Sequence, residues 1–124
     1  MEFKYITIII PSYNPNKLLL ETIRSIKKLK YPSKLFETII VDDGSTNRAI
    51  FTEIKNLQQS NIKVIHLKEN KGPANARNIG ASNASSKSEI LLFIDSTVKV
   101  DENLLLYHCS MHKTFPEIAA VNGK

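Results

Sequence analysis

Cysteine is almost missing from this 124-residue chain: Cys109 stands alone. No disulfide can form within it, so stability must come from a packed core. Glycine is scarce, with four in all, so phosphate recognition cannot rest on a glycine-rich cradle. Neither G-x-G-x-x-G after a first strand nor G-x-x-x-x-G-K-[ST] occurs, which excludes the two best-known nucleotide loops. No apolar stretch approaches the roughly 18 residues of a membrane-spanning helix. The apolar run after Met1 stops at Pro11 without a cleavage pattern, so it reads as a strand and not a signal peptide. Repeats, low-complexity tracts and linkers are missing too. Residues 1–124 therefore read as a single domain.

What is present is ordinary globular composition, 42% hydrophobic and 23% charged, which excludes disorder. The net charge is +5, and much of the excess lies in Arg24, Lys27, Lys28, Lys30 and Lys34. The plain reading is a solvated helix face and the loop after it. The sharper one is peripheral association with an anionic membrane surface, or with a phosphorylated partner subunit. Nucleic acid is not expected, because the cluster holds only Tyr31 as an aromatic and no nucleic-acid motif appears. A lone thiol fits a reducing interior. The expected location is cytoplasmic, extending to the cytoplasmic face of a membrane if the basic cluster engages lipid.

Hydrophobic periodicity then gives a chain order. Tyr5 to Ile10 is a nearly continuous β-branched run, a strand buried on both faces. Asn14-Pro15 reads as a helix start, Asn14 capping and Pro15 in the first turn. Leu19, Ile23, Ile26 and Leu29 follow at helical spacing. Phe36 to Val41 is a second strand, closed by the turn Asp42-Asp43-Gly44-Ser45. Ile50, Phe51, Ile54 and Leu57 mark a second helix. Ile62, Val64 and Leu67 form a third strand, with Lys63 and His66 facing the other way.

A third helix starts around Asn70-Lys71-Gly72-Pro73 and carries the small residues Ala74, Ala76, Gly80, Ala81 and Ala84, which allow close packing. Ile90 to Ile94 is a fourth strand, followed by Asp95-Ser96-Thr97. Asp101 caps a last helix through about His112, and a short strand is expected at 118–121. The spacing of His108 and His112 suits zinc, but no further ligand accompanies them.

Strands alternating with helices imply an α/β domain with a parallel sheet and right-handed crossovers. The first and fourth strands, the most apolar, are expected to be central, and the third at an edge. The predicted order is 3-2-1-4, with a topological switch between strands 1 and 4, where such sheets bind ligands. The loops that should meet there carry Pro11, Tyr13, Asn14, Asp42, Asp43, Asp95 and Ser96, with Lys71 and Arg77 at the third helix. A carboxylate at Asp42 can accept from a nucleobase N–H or ribose hydroxyls, and Tyr13 offers a ring to a base. Arg77, Lys71 and the helix start near Gly72 supply positive potential for a diphosphate. Asp95 can ligate a divalent cation bridging that diphosphate. These are the needs of a nucleoside diphosphate carrying a leaving group.

Four segments in order resemble family 2 glycosyltransferases: Ile9-Ile-Pro-Ser-Tyr-Asn14, Ile40-Val-Asp-Asp-Gly-Ser-Thr46, Asn70-Lys-Gly72 with Ala76-Arg-Asn-Ile-Gly80, and Glu89-Ile-Leu-Leu-Phe-Ile-Asp-Ser96. The resemblance implies a three-layer Rossmann-like GT-A fold and inverting transfer of a sugar, with a UDP-sugar expected as donor, to an unspecified acceptor. It assigns Pro11, Tyr13 and Asp42 to base and ribose, Arg77 and Lys71 to the diphosphate, and Asp95 to Mg2+ or Mn2+. Thr97 stands where the family's Asp-x-Asp motif has its second carboxylate, which should weaken metal binding. The family's catalytic base and acceptor surface lie beyond the matched region, so a C-terminally truncated donor domain is the expectation. The alternatives are a non-catalytic nucleotide-binding or assembly module, and a flavodoxin-like or response-regulator domain, phosphorylated in the latter case at Asp42.

Overall fold

In the computed structural model, residues 2–57 and 60–114 are described. The elements run β1 (Ile6–Ser12), α1 (Lys17–Lys27), a 3-10 turn (Ser33–Leu35), β2 (Phe36–Asp42), α2 (Ala49–Asn56), β3 (Ile62–His66), α3 (Pro73–Ser82), β4 (Ile90–Phe93) and α4 (Leu104–Thr114). All strand pairs are parallel and the order is β3-β2-β1-β4, as the strand–helix alternation predicts. The strand expected at 118–121 lies outside the described residues. Among those described, no helix is long and apolar enough to cross a membrane.

Strand β1 is the spine. Ile6, Ile8, Ile9 and Ile10 are all fully buried, because both faces of the sheet are covered. Ile6, Ile8 and Ile10 pack with Ile40, Ile90 and Leu92 against Leu19, Ile23 and Ile26 of α1, Phe51 and Ile54 of α2, and Leu105 and Cys109 of α4. On the opposite face, Ile39, Val41 and Ala76 form a smaller cluster under α3. The result is helix, sheet, helix in three layers. Gly80 allows the α3 layer to sit close: a Cβ there would lie 2.5 Å from Ile9 Cγ2, closer than side chains tolerate.

Three local expectations need correcting. Helix α1 begins at Lys17, and its cap is Asn16, whose side chain accepts from Leu18 N at 2.9 Å. Asn14 instead takes a left-handed backbone, φ 44°, and reaches across to the loop after β2. His66 does not face away with Lys63. It shares the face of Ile62 and Val64 and meets Phe51 of α2 edge-on, ring centroids 5.3 Å apart. Finally, β4 is not central among the described strands. Helix α3 packs mainly on β1 and β2, and among the described residues Leu91 and Phe93 of β4 are exposed. Asp101 holds Asn103 N at 2.8 Å in the turn that leads into α4.

Candidate functional site

The parallel register ends β1 and β2 together, with Ser12 opposite Asp42 and Asp42 opposite His66. At that end of the sheet lies a cavity of about 390 Å³ lined by Pro11, Ser12, Tyr13, Asp43, Asn70, Gly72, Pro73, Arg77 and Asp95. Its size falls in the range of small-molecule sites. Its position between the ends of β1 and β4 is the switch point of the sheet. The loops from three strands and the start of α3 thus converge, and they bring Pro11, Tyr13, Asp43, Arg77 and Asp95 together as the chain order predicts.

Four expected site residues do not line this cavity. Asp42, the last residue of β2, points to the α2 face and is fully buried. Its Oδ1 accepts Ser45 N at 2.9 Å, and its Oδ2 lies 2.6 Å from His66 Nδ1 and 3.6 Å from Arg48 Nε. Burial works to raise its pKa, but the Ser45 and His66 hydrogen bonds outweigh that and hold the carboxyl below its ordinary value. The Asp42 carboxylate is therefore buried and engaged by the protein's own groups. Successive strand residues face opposite sides, so the adjacent Asp43 turns toward α3 and the cleft.

Asn14 acts as a brace. Its N–H donates to Ser45 Oγ at 2.8 Å, and its Oδ1 accepts Thr46 N at 2.9 Å and Asn47 N at 3.1 Å. The Lys71 side chain borders a separate depression of about 310 Å³ with Leu67, Lys68, Glu69, Asn75 and Ile79. Ser96 contributes through its backbone, accepting from Thr22 Oγ1 at 3.2 Å. The residues missed at the sequence level are Asn70 and Pro73 as cleft walls, while Gly72 stands where the helix start was expected to meet the diphosphate. Their signal was the turn Asn70-Lys71-Gly72-Pro73 after β3.

Asp43 shapes the cleft. Its Oδ1 accepts Lys71 N at 3.0 Å and its Oδ2 accepts Gly72 N at 2.9 Å, which fixes the start of α3 against the end of β2. Gly44 makes this approach feasible: it has φ 74°, and a Cβ there would lie 2.5 Å from the Glu69 carbonyl carbon. A carboxylate has about four acceptor positions, so Asp43 keeps acceptor capacity toward the cavity. Tyr13 stands half-exposed at the rim. Arg77 forms no ion pair among the described residues, so its guanidinium is available. The first turn of α3 opens with Pro73, and its unpaired N–H groups add positive potential at the same wall.

Asp95 is exposed, and its Oδ1 accepts both Thr97 N and Thr97 Oγ1 at 3.0 Å. No group of three or more His, Cys, Asp or Glu side chains able to hold a metal occurs among the described residues. Asp43 and Asp95 are the carboxylates that line the cleft. That donor set fits a Mg2+ or Mn2+ ion that arrives with part of its coordination supplied by diphosphate oxygens and water. It does not form a complete protein cage.

A larger depression of about 710 Å³ runs between α1 and residues 99–102. Arg24, Lys28 and Lys99 line it together with Glu21, Asp101 and Glu102, so it has no preference for charge of either sign. It also lies beside α1 and away from the strand ends. Size alone does not make it the site.

Comparison with known proteins places this geometry in context. The sequence profile described as "Glycosyl transferase family 2" matches residues 7–111. The minor teichoic acid biosynthesis protein GgaA of Bacillus subtilis is 39% identical over 102 residues, covering 80% of this chain and 23% of that protein. The poly(ribitol-phosphate) beta-N-acetylglucosaminyltransferase TarS of Staphylococcus aureus is 33% identical over 100 residues, covering 80% of this chain and 17% of TarS. The crystal structure of TarS 1–349 in complex with UDP-GlcNAc superposes with a TM-score of 0.79 at 28% identity, over 97% of this chain and 36% of that one. The mannosyltransferase PcManGT from Pyrobaculum calidifontis, solved with GDP-Man and Mn2+, shares the fold, with a TM-score of 0.75 at 24% identity over 84% of this chain and 31% of that one. The chain thus spans roughly a fifth of the length of the first two relatives.

Proposed function

The chain belongs to glycosyl transferase family 2 and has the GT-A fold, and from that premise we propose that it binds a UDP-sugar as the donor for inverting transfer to an acceptor hydroxyl. The observation that carries this reading is the single cleft in which Tyr13, Asp43, Arg77 and Asp95 meet beside the start of α3. Tyr13 offers a ring face to the uracil, and Asp43 an acceptor to its N–H or to a ribose hydroxyl. Arg77 and the α3 N-terminus face the diphosphate and stabilise the charge that develops on it as the sugar–phosphate bond breaks. A Mg2+ or Mn2+ ion at Asp95 supplies further neutralisation of that leaving group when bound. TarS, crystallised with UDP-GlcNAc, supports uridine as the nucleoside.

The test is calorimetric titration of the folded protein with UDP and UDP-sugars. Binding in the millimolar range or tighter is expected, weakened about tenfold or more by Asp43→Ala and by Arg77→Ala. Folded protein that gives no heat with any nucleoside diphosphate or sugar nucleotide sinks the reading.

A second reading, nucleotide binding without turnover, is favoured by Thr97 occupying Asp95 Oδ1 where a second carboxylate would otherwise strengthen the cation site. Hydrolysis of a UDP-sugar with added Mn2+ separates the two. Turnover supports the transferase, and binding without turnover supports the module.

A further inference from the structure

His66 lies outside the cleft, yet hydrogen bonds connect it to two of the turns that form the cleft. The register of β2 and β3 sets it opposite Asp42, and its Nδ1 lies 2.6 Å from Asp42 Oδ2. Asp42 is fully buried while the His66 side chain keeps 39% of its exposure. A buried carboxylate needs directed donors to remain charged. Arg48 Nε, at 3.6 Å, is beyond hydrogen-bond range. Ser45 supplies one side of the carboxylate and His66 the other.

From Asp42 the connections continue. Oδ1 holds Ser45 N at 2.9 Å, and Ser45 Oγ accepts Asn14 N at 2.8 Å. Asn14, in its left-handed conformation, follows Tyr13 directly and returns its Oδ1 to Thr46 N at 2.9 Å. Asp43 follows Asp42. Tyr13 and Asp43 are cleft residues, and each adjoins a member of this chain of bonds in sequence.

We infer that His66 is a positioning residue for the nucleotide site: its Nδ1–H donates to Asp42, fixes the 42–45 turn and, through Ser45, fixes the Tyr13–Asn14 turn. This rests on the nucleotide reading of the cleft for its functional meaning, but the bonded network exists without ligand. Asp42 can only accept, so Nδ1 carries the proton. A histidine at this place therefore supplies a donor to Asp42 while its ring packs on Phe51.

Two variants separate the hydrogen bond from the packing. His66→Phe keeps a ring against Phe51 but cannot donate. His66→Asn loses the ring but places an amide N–H₂ near the Nδ1 position. Amide hydrogen exchange on ligand-free protein is read at Asn14, Ser45 and Thr46, with Ile8 and Ile39 of the central strands as internal controls.

The expected result is exchange about tenfold faster at the three turn amides in His66→Phe, with the controls unchanged, and near wild-type rates in His66→Asn. UDP titration of the same proteins should show affinity about tenfold weaker in His66→Phe and restored in His66→Asn. Unchanged protection in His66→Phe overturns the inference, as does a His66→Asn protein that behaves worse than His66→Phe, since packing would then be the ring's role. If His66→Phe does not fold, His66→Asn decides alone: turn protection at wild-type level supports the tie, and its loss overturns it. If wild-type protein binds no UDP, the proposed function fails while the exchange data still decide whether His66 holds the turns.

Discussion

Two neighbouring aspartates do opposite jobs, and one step along the chain separates them. Asp42 ends β2 and faces α2, where Ser45 and His66 hold its carboxyl below its ordinary pKa despite burial. Asp43 faces the cleft. The linkage sign follows from the depressed value. A carboxyl with a lowered folded pKa contributes stability above its unfolded pKa of about 3.9, and that contribution fades as pH falls through this value toward the folded one. Asp42→Ala is therefore expected to cost about 2–3 kcal/mol at pH 7 and less as the pH is taken below about 3.9. Urea unfolding at pH 7 and below that value checks this. Equal losses at the two pH values would mean that the carboxylate charge contributes nothing. The sequence showed an Asp-Asp-Gly-Ser turn at the right place but not which carboxylate would be spent on structure. That depends on His66 lying opposite Asp42, and cross-strand register is not written in either segment alone.

At the level of elements, α3 joins packing to function. Gly80 lies against Ile9, and Arg77, three residues earlier, lines the cleft. In Gly80→Ala the new methyl would lie 2.5 Å from Ile9 Cγ2 and 3.3 Å from Val41 Cγ2. Overpacking of this kind costs about 1–3 kcal/mol, and the helix relieves it by lifting from β1. Both a lower thermal midpoint and weaker UDP binding are expected, because Arg77 moves with the helix. Loss of stability with unchanged affinity would show that Arg77 is not positioned by this contact. The close approach was legible in the small residues of the third helix, as were all four described strands and their order, because apolar periodicity and turn residues carry that information. The Asn14 cap was misread for a physical reason. Asn at a turn can accept from its own following backbone or from a distant loop, and here the N–H groups of Thr46 and Asn47 take its Oδ1. Strand β4 was misread because its apolar residues resemble a buried central strand, while among the described strands it lies at the sheet edge with Leu91 and Phe93 exposed.

Across the whole molecule, the charge around the cleft would decide how a cation and a nucleotide bound there depend on each other. Asp95 has one oxygen engaged by Thr97 and one free, and Asp43 is already bonded to the backbone of Lys71 and Gly72. A divalent ion arriving alone finds only the remaining positions on Asp95 and Asp43, far fewer donors than Mg2+ or Mn2+ requires. A nucleoside diphosphate brings additional oxygens and two or more negative charges to the same place, where Arg77 and the α3 N-terminus already favour them. Cation binding should therefore be conditional. Mn2+ added to the free protein is expected to give no measurable heat, whereas Mn2+ added to the UDP-saturated protein should bind and tighten UDP reciprocally, since linkage requires equal coupling in both directions. Asp95→Asn should remove that increment and leave metal-free UDP affinity within about threefold, an effect below 1 kcal/mol. Mn2+ bound as tightly without UDP as with it would place the ion elsewhere. The sequence carried half of this argument in Thr97. The other half came from the fold, which ties Thr97 to Asp95 instead of leaving it a bystander, and so would leave an incoming diphosphate to complete the ion's coordination.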